Sequence, residues 1–237
     1  MLSSDFLICI PTYNESTNIL QIIARFRSFT DAAILVIDDN SPDGTAEIVE
    51  DGNFANTFVL KRSKKEGLGP AYLAGFTWGL ERNFQYFIEC DADGSHQPEE
   101  LPRLIAAIEG CDLVIGTRWM PGGKVENWPL IRKAISRIGT KYAQIALGLP
   151  YKDLTSGYRI ISRKALSTIP FTEISSHGYG FQIEMAMRIH NAGFPIAQTP
   201  ITFIERTRGQ SKMSKRIVLE ALIQTTKWAI QRVVKTR

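Results

Sequence analysis

The chain reads as an α/β protein built on one mostly parallel, doubly wound sheet with helices on both faces. Three observations predict this. Short, continuous apolar runs recur through the first half of the chain, each closed by polar, Gly or Pro residues. Segments of helical apolar periodicity stand between them, and strand–helix alternation favours parallel pairing through right-handed crossovers. The length of 237 residues, with 44% hydrophobic and 22% charged residues, suits one large domain that buries its own core.

Taken in order, Phe6-Leu7-Ile8-Cys9-Ile10 is a buried strand stopped by Pro11. Asn14-Glu15-Ser16 then opens a helix with Ile19, Ile22, Ile23 and Phe26 on one face. Ala33 to Ile37 is a second strand, followed by Asp38-Asp39-Asn40 and the turn Ser41-Pro42-Asp43-Gly44, where Asp43 or Thr45 caps the next helix. Thr57 to Leu60 is a third strand, and Gly67 to Arg82 a Gly-rich turn running into a helix. Tyr86 to Cys90 is a fourth strand ending at Asp91-Ala92-Asp93; Pro98 to Ile108 is helical; Asp112 to Gly116 is a further strand.

Two later segments are amphipathic. From Asn127 to Leu149, Trp128, Ile131, Ile135, Ile138, Tyr142, Ile145 and Leu149 recur at three- and four-residue steps, with Arg132, Lys133, Arg137 and Lys141 among them. Periodicity alone fits a stripe packed on the sheet as well as one laid in a membrane interface. The tail from Lys212 to Arg237 carries a broader apolar face, while Glu220, Lys227 and Arg232 argue against its crossing a bilayer.

The net charge of +4 and pI of about 9.0 allow an anionic partner without demanding one. The basic residues are scattered and lack the aromatic interleaving of a single-strand platform, so no nucleic-acid role is expected. The three cysteines, Cys9, Cys90 and Cys111, show no metal spacing, and free thiols are expected. No basic leader and no run of ~18 apolar residues is present, so neither a signal peptide nor a transmembrane helix is expected.

Sheets of this kind bind ligands beyond the carboxyl ends of their strands. That rule gathers Pro11 to Glu15, Asp38 to Asn40 and Asp91 to Asp93 at one rim. Two carboxylates two residues apart repel unless a cation joins them, and oxygen ligands suit Mg²⁺ or Mn²⁺ bridging a nucleoside diphosphate. Asp38 and Asp39 suit the hydroxyls or base of a nucleotide, and the absence of GxGxxG excludes a dinucleotide-type cradle. Arg118, Arg132, Arg206 and Lys212 suit phosphate recognition, and as a set beside an acidic site they imply two phosphate-bearing substrates. Arg132 and Ser136 share a helix face. His96 stands alone after Asp93 and receives no catalytic role.

Ile10 to Glu15, Ile37 to Thr45, Gly67-Leu68-Gly69 with Ala71-Tyr72, and Asp91-Ala92-Asp93 with Ser95-His96 together resemble dolichol-phosphate (polyprenyl-phosphate) mannose synthases. Gly116-Thr117-Arg118, Arg132 with Ser136, Asp153 to Arg159 and Arg206 to Lys212 extend the resemblance from Phe6 to Lys212. It implies a GT-A fold over residues 1–213, with a C-terminal amphipathic helix over 214–237 packed on the domain or on a membrane. It further implies metal-dependent, inverting transfer of mannose from GDP-mannose to a polyprenyl phosphate. Pro11, Tyr13, Glu15, Ile37 and Asp39 would hold guanosine; Asp91, Ala92 and Asp93 would meet the donor, with Asp93 and Asp91 serving Mg²⁺ or Mn²⁺. Arg206 and Lys212 would close over the diphosphate, and Arg118, Arg132 and Ser136 would hold the acceptor phosphate. Asp91, Asp93 and Arg118 are the expected catalytic set. Ser95 stands where some relatives use a Gln metal ligand, and Gly94 replaces a bulkier residue. A peripheral place on the cytoplasmic side of a membrane is expected, with a separate membrane-anchoring subunit or fused domain as a possible partner. UDP-glucose as donor, or a non-catalytic nucleotide-sugar-binding module, are the competing readings.

Overall fold

A computed structural model of the chain describes residues 4–176, 178, 180–206 and 215–235. Its centre is a seven-stranded sheet, built first from β1 (Phe6–Thr12), β2 (Ala33–Asp38), β3 (Thr57–Lys61) and β4 (Tyr86–Glu89). The connecting helices are α1 (Ile19–Arg27), α2 (Thr45–Asp51) and α3 (Leu68–Glu81). A 3₁₀ turn, Pro98–Glu100, runs into α4 (Leu101–Ala106), and β5 (Leu113–Thr117) follows. Then come β6 (Lys124–Glu126), α5 (Leu130–Leu147), β7 (Arg159–Ser162), α6 (Arg163–Thr168), α7 (Gly180–Asn191), β8 (Ile196–Pro200), β9 (Thr202–Ile204) and α8 (Lys215–Lys235).

Strand order is β3-β2-β1-β4-β7-β5-β8. All neighbours are parallel except β7, which runs antiparallel between β4 and β5. Chain order reverses at β1, which pairs β2 on one side and β4 on the other, and such a reversal opens a crevice at the strand ends. Alternation along the strands splits the core in two. Leu7, Cys9, Leu35, Ile37 and Phe87 face α3, α6 and α7, while Ile8, Ile10, Ile34, Val36 and Ile88 face α1 and α4. Helix α3 approaches closely because a Cβ on Gly75 would lie 2.4 Å from Ile37 Cδ1.

The mostly parallel sheet with helices on both faces is as expected. The sequence reading did not place β7, α6, α7, β8 or β9. A second, two-stranded parallel sheet, β6 with β9, also lies outside it.

The basic amphipathic helix is shorter than its apolar repeat. Pro129 precedes its first turn and Gly148, in the left-handed region at φ 68°, ends it. Trp128 and Leu149 therefore leave the helix and are buried, whereas Ile131, Ile138 and Ile145 are 68–73% exposed. The stripe is thus not core, and Trp128 does not belong to its exposed row. Helix α8 packs on α5 and α7, with Tyr142 and Thr226 hydroxyls 2.6 Å apart. Leu219, Leu222, Ile223, Ile230, Val233 and Val234 of α8 are exposed. Among the described residues no helix is long and apolar enough to cross a membrane.

Candidate active site

Two cavities open at the carboxyl ends of β1 and β4, and both are lined by Leu68, Asp91 and Arg206. The first, of about 300 Å³, is where Pro11, Tyr13, Glu15, Asp39, Ala92 and Asp93 come together. Left-handed turns at Asn14 and Asn40 (φ 57° each) reverse the chain directly beyond β1 and β2. The two aspartates after β2 then divide their work. Asp38 turns inward, accepting from Thr12 Oγ1 (2.8 Å), Ser41 N (2.8 Å) and Ser41 Oγ (2.5 Å), and so braces the rim. Asp39 faces the cavity and is paired with Arg62. Burial raises its pKa by more than the Arg62 charge and hydrogen bond lower it.

Asp43 accepts from Thr45 N, Thr45 Oγ1 and Ser16 N, tying the loop after β1 to the start of α2. Ile37 lies apart from these lining residues. Its side chain is wholly buried against Gly75 and does not line the cavity, because Ile37 still lies within β2 whereas Asp39 follows the strand's end at Asp38, where strand alternation no longer applies. Lys65, which the sequence reading overlooked, lies over the Tyr13 ring at 3.9 Å. It sits in the run Lys64-Lys65-Glu66, which looks like ordinary surface.

Asp93 is nearly buried, accepts from Ser95 N (2.9 Å) and pairs with Arg206 at 2.8 Å. Burial pushes its pKa up, but the Arg206 charge and the Ser95 hydrogen bond outweigh this and hold it below the usual carboxylate value. The turn after it needs Gly94 at φ 76°. His96 is a structural residue. It stacks on Tyr158 (5.0 Å), and its Nδ1 accepts from Asp91 N at 3.0 Å. Burial lowers its pKa to about 4, so it is neutral at pH 7, as that acceptor role requires.

Beneath Asp91, Glu89 is fully buried beside Arg159, its cross-strand partner. Burial raises the Glu89 pKa to about 7, against the pull of Arg159. Arg159 donates to the Ser156, Gln182 and Leu154 carbonyls, pinning β7 to the chain before it and to α7. The sequence reading missed this buried pair because a Glu at the end of an apolar strand looks like its polar terminus.

The second cavity, of about 130 Å³, lies between the sheet end, α5, α7 and α8. Arg118, Arg132 and Ser136 all line it, with Trp128, Phe203 and aliphatic residues of α8. Arg118 is held by the fully buried Asp153 through Nε (2.7 Å) and Nη2 (2.8 Å), and donates also to Thr155 Oγ1 (3.0 Å). Arg132 pairs with Glu205 and stacks on Trp128 at 4.1 Å. The roles of Asp153 and Glu205 as counter-charges are read only from the structure, since neither neighbours its arginine in sequence. Ser136 Oγ and Trp128 Nε1 are buried without a hydrogen-bond partner among the described residues. Such atoms cost about 1–3 kcal/mol each unless a ligand completes them. Lys212 lies outside the described residues.

The carboxylates of Asp91 and Asp93 face the first cavity together and suit a divalent cation, for which Arg206 now supplies the balancing charge. Among the described residues no group of three or more His, Cys, Asp or Glu side chains gathers as a metal cluster.

The sequence matches the family described as glycosyl transferase family 2 over residues 7–169. It is 48% identical over 227 residues to the undecaprenyl-phosphate mannosyltransferase of Micrococcus luteus, covering 94% of this chain and 93% of that one. It is 44% identical over 230 residues to the polyprenol monophosphomannose synthase of Mycolicibacterium smegmatis, covering 95% and 87%. Among solved structures it resembles glucosyl-3-phosphoglycerate synthase from Mycobacterium tuberculosis in complex with Mn²⁺, UDP-glucose and phosphoglyceric acid, at TM-score 0.67 and 18% identity, covering 94% of this chain and 79% of that one. That likeness establishes the GT-A fold. Sheet order, strand-end carboxylates and family match agree, and the chain belongs to glycosyltransferase family 2.

Proposed function

We propose that this protein transfers mannose from GDP-mannose to the phosphate of a polyprenyl lipid at a membrane surface, with inversion. The observation that carries the reading is the meeting of two cavities at Asp91 and Arg206, one polar and acidic, the other cationic with an aliphatic wall. Relatives at 48% and 44% identity named for mannosyl transfer to undecaprenyl phosphate and for polyprenol monophosphomannose synthesis support the sugar and the acceptor class.

In this reading the first cavity takes the nucleotide. Tyr13 and Lys65 offer a stacked cationic face, Asp39 and Glu15 offer acceptors, and Arg206 with Lys212 meets the diphosphate. Asp91 and Asp93 would hold Mg²⁺ or Mn²⁺, which when bound supplies positive charge to the leaving diphosphate. Arg206 would then exchange Asp93 for donor phosphate. The second cavity takes the acceptor head group, with Arg118 and Arg132 opposite its charge and Ser136 donating its unpartnered hydroxyl.

The reaction is one displacement. An acceptor phosphate oxygen bonds to the anomeric carbon as the bond from that carbon to the GDP oxygen breaks, giving a β-linked mannosyl phosphate and GDP. A phosphate monoester has a second pKa of about 6, so the nucleophile is already mostly ionised at pH 7 and needs no general base. The neutral, structurally engaged His96 agrees with that requirement. The protein contributes placement and charge balance.

The exposed aliphatic row of α5 and the exposed apolar residues of α8 flank the second cavity and would lie in the membrane interface, delivering the lipid tail. Incubation with polyprenyl phosphate and radiolabelled GDP-mannose or UDP-glucose, followed by lipid extraction, tests the donor. Label in lipid from GDP-mannose alone is expected. Transfer from UDP-glucose alone would replace the donor assignment, and no transfer from either would reject it.

A further inference from the structure

We propose that a third cavity, on the far side of α5 from the acceptor cavity, is a built site for the phosphate head group of an anionic membrane phospholipid. This cavity, of about 330 Å³, is lined by Trp119, Arg137, Thr140, Lys141, Gln144 and Lys152. Its electrostatics differ from those of the first two cavities. There, Arg118, Arg132 and Arg206 each face a carboxylate, Asp153, Glu205 and Asp93. Here no acidic residue lines the walls, and Arg137, Lys141 and Lys152 form no ion pair among the described residues.

The site is also prepared to donate hydrogen bonds. Thr140 is 3% exposed, and its Oγ1, like Trp119 Nε1, is buried with no hydrogen-bond partner among the described residues. Orphaned buried donors beside three cations call for an anion with several acceptor oxygens. The walls are held in place. Arg137 stacks over Trp119 at 4.7 Å, Gln144 Nε2 donates to Tyr151 O (2.6 Å), and Lys152 N donates to Gln198 Oε1 (2.6 Å).

Helix geometry favours a lipid as the source of the phosphate. At ~100° per residue, Arg137, Lys141 and Gln144 lie on the flank of α5 next to the exposed row Ile131, Ile138 and Ile145. Sinking that row to the acyl boundary brings the cationic cavity to head-group depth. The choice of lipid over free phosphate rests on the membrane-facing reading of α5; the anion site itself does not.

The test is co-sedimentation with phosphatidylcholine vesicles with and without phosphatidylglycerol, beside calorimetry with inorganic phosphate. Wild type should prefer the phosphatidylglycerol vesicles. R137A/K141A/K152A should lose that preference by roughly 100-fold, at about fivefold per cation. K61A/R82A/K164A, with the same charge loss elsewhere, should keep most of it. Thr140→Val, which changes no charge, should weaken the preference several-fold. Equal losses in the two triple variants, or no effect of Thr140→Val, would reduce the site to general charge attraction and overturn it. Saturable inorganic phosphate binding without a phosphatidylglycerol preference would overturn the lipid assignment. Mannosyl transfer in detergent by R137A/K141A/K152A should match wild type; its loss would assign the cavity to the acceptor machinery instead. The vesicle measurement reads the site whether or not the donor and acceptor assignments hold.

Discussion

Replacing Asp153 by Asn leaves the Arg118 guanidinium, 6% exposed, without its buried counter-charge. The lost contacts are large: Nε and Nη2 lie 2.7 and 2.8 Å from the two carboxylate oxygens, and Arg118 N lies 3.1 Å from one of them. Asn retains one acceptor oxygen, so part of the hydrogen bonding survives, but the charge does not. Breaking a buried pair from one side costs about 3–5 kcal/mol. For a chain of this size, at about 2 °C per kcal/mol, Tm should fall by roughly 6–10 °C. The same substitution raises the positive potential of the acceptor cavity, so added inorganic phosphate should raise the Tm of D153N more than that of wild type. Differential scanning calorimetry with and without phosphate measures both effects. A D153N protein within ~1 kcal/mol of wild type, with an equal response to phosphate, would refute the idea that Asp153 balances and aims Arg118.

Arg132→Ala should raise the KM for polyprenyl phosphate by about 10- to 100-fold, as loss of a charge-assisted contact implies, while KM for GDP-mannose changes little; equal effects on both would contradict its place in the acceptor cavity. Ile131→Glu with Ile138→Glu and Ile145→Glu should abolish vesicle flotation without lowering Tm, because all three side chains are exposed; unchanged flotation would remove α5 from the membrane interface.

Glu89 and His96 should bend the pH dependence of stability in opposite directions. Glu89 rises from 4.5 to about 7 on folding, so the native state binds more protons between those values and its stability falls by about 3 kcal/mol as pH climbs through them. His96 falls from 6.5 to about 4, so the unfolded state binds more protons between those values and stability rises by a similar ~3 kcal/mol as pH climbs through them. The two nearly cancel in wild type. Urea unfolding from pH 4 to pH 8 should show stability increasing with pH in E89Q and decreasing with pH in H96Q; parallel curves would show that neither group is perturbed.

Strand ends were the most readable part of this chain. A continuous apolar run closed by Pro11, by Asp38-Asp39 or by Asp91 marks both a buried parallel strand and the rim where ligands collect, because the same topology dictates both. Which residue of a rim segment faces the cavity was not available from alternation: Ile37 and Asp39 have the same parity, yet Ile37 lies within β2 and is buried in the core while Asp39, beyond the strand's end at Asp38, lines the cavity. The second half was harder. β7 is a four-residue antiparallel strand whose first residue, Arg159, is charged and wholly buried, so periodicity does not announce it. The counter-charges Asp153 and Glu205 lie 35 and 73 residues from Arg118 and Arg132, distances at which only the fold brings charges together. The apolar repeat of α5 was visible, but its sides were not. Trp128 and Leu149 continue the spacing outside the helix, and only the positions of Pro129 and Gly148 explain why they turn inward.

The most direct test follows mannose from labelled GDP-mannose into polyprenyl phosphate, with and without excess chelator, for wild type and Asp93→Ala. Lipid-extractable label that appears with Mg²⁺ or Mn²⁺, vanishes in chelator and is absent in Asp93→Ala is the expected result. Undiminished transfer in chelator, or label that never enters the lipid, would contradict a metal-assisted transfer between the two cavities that share Asp91.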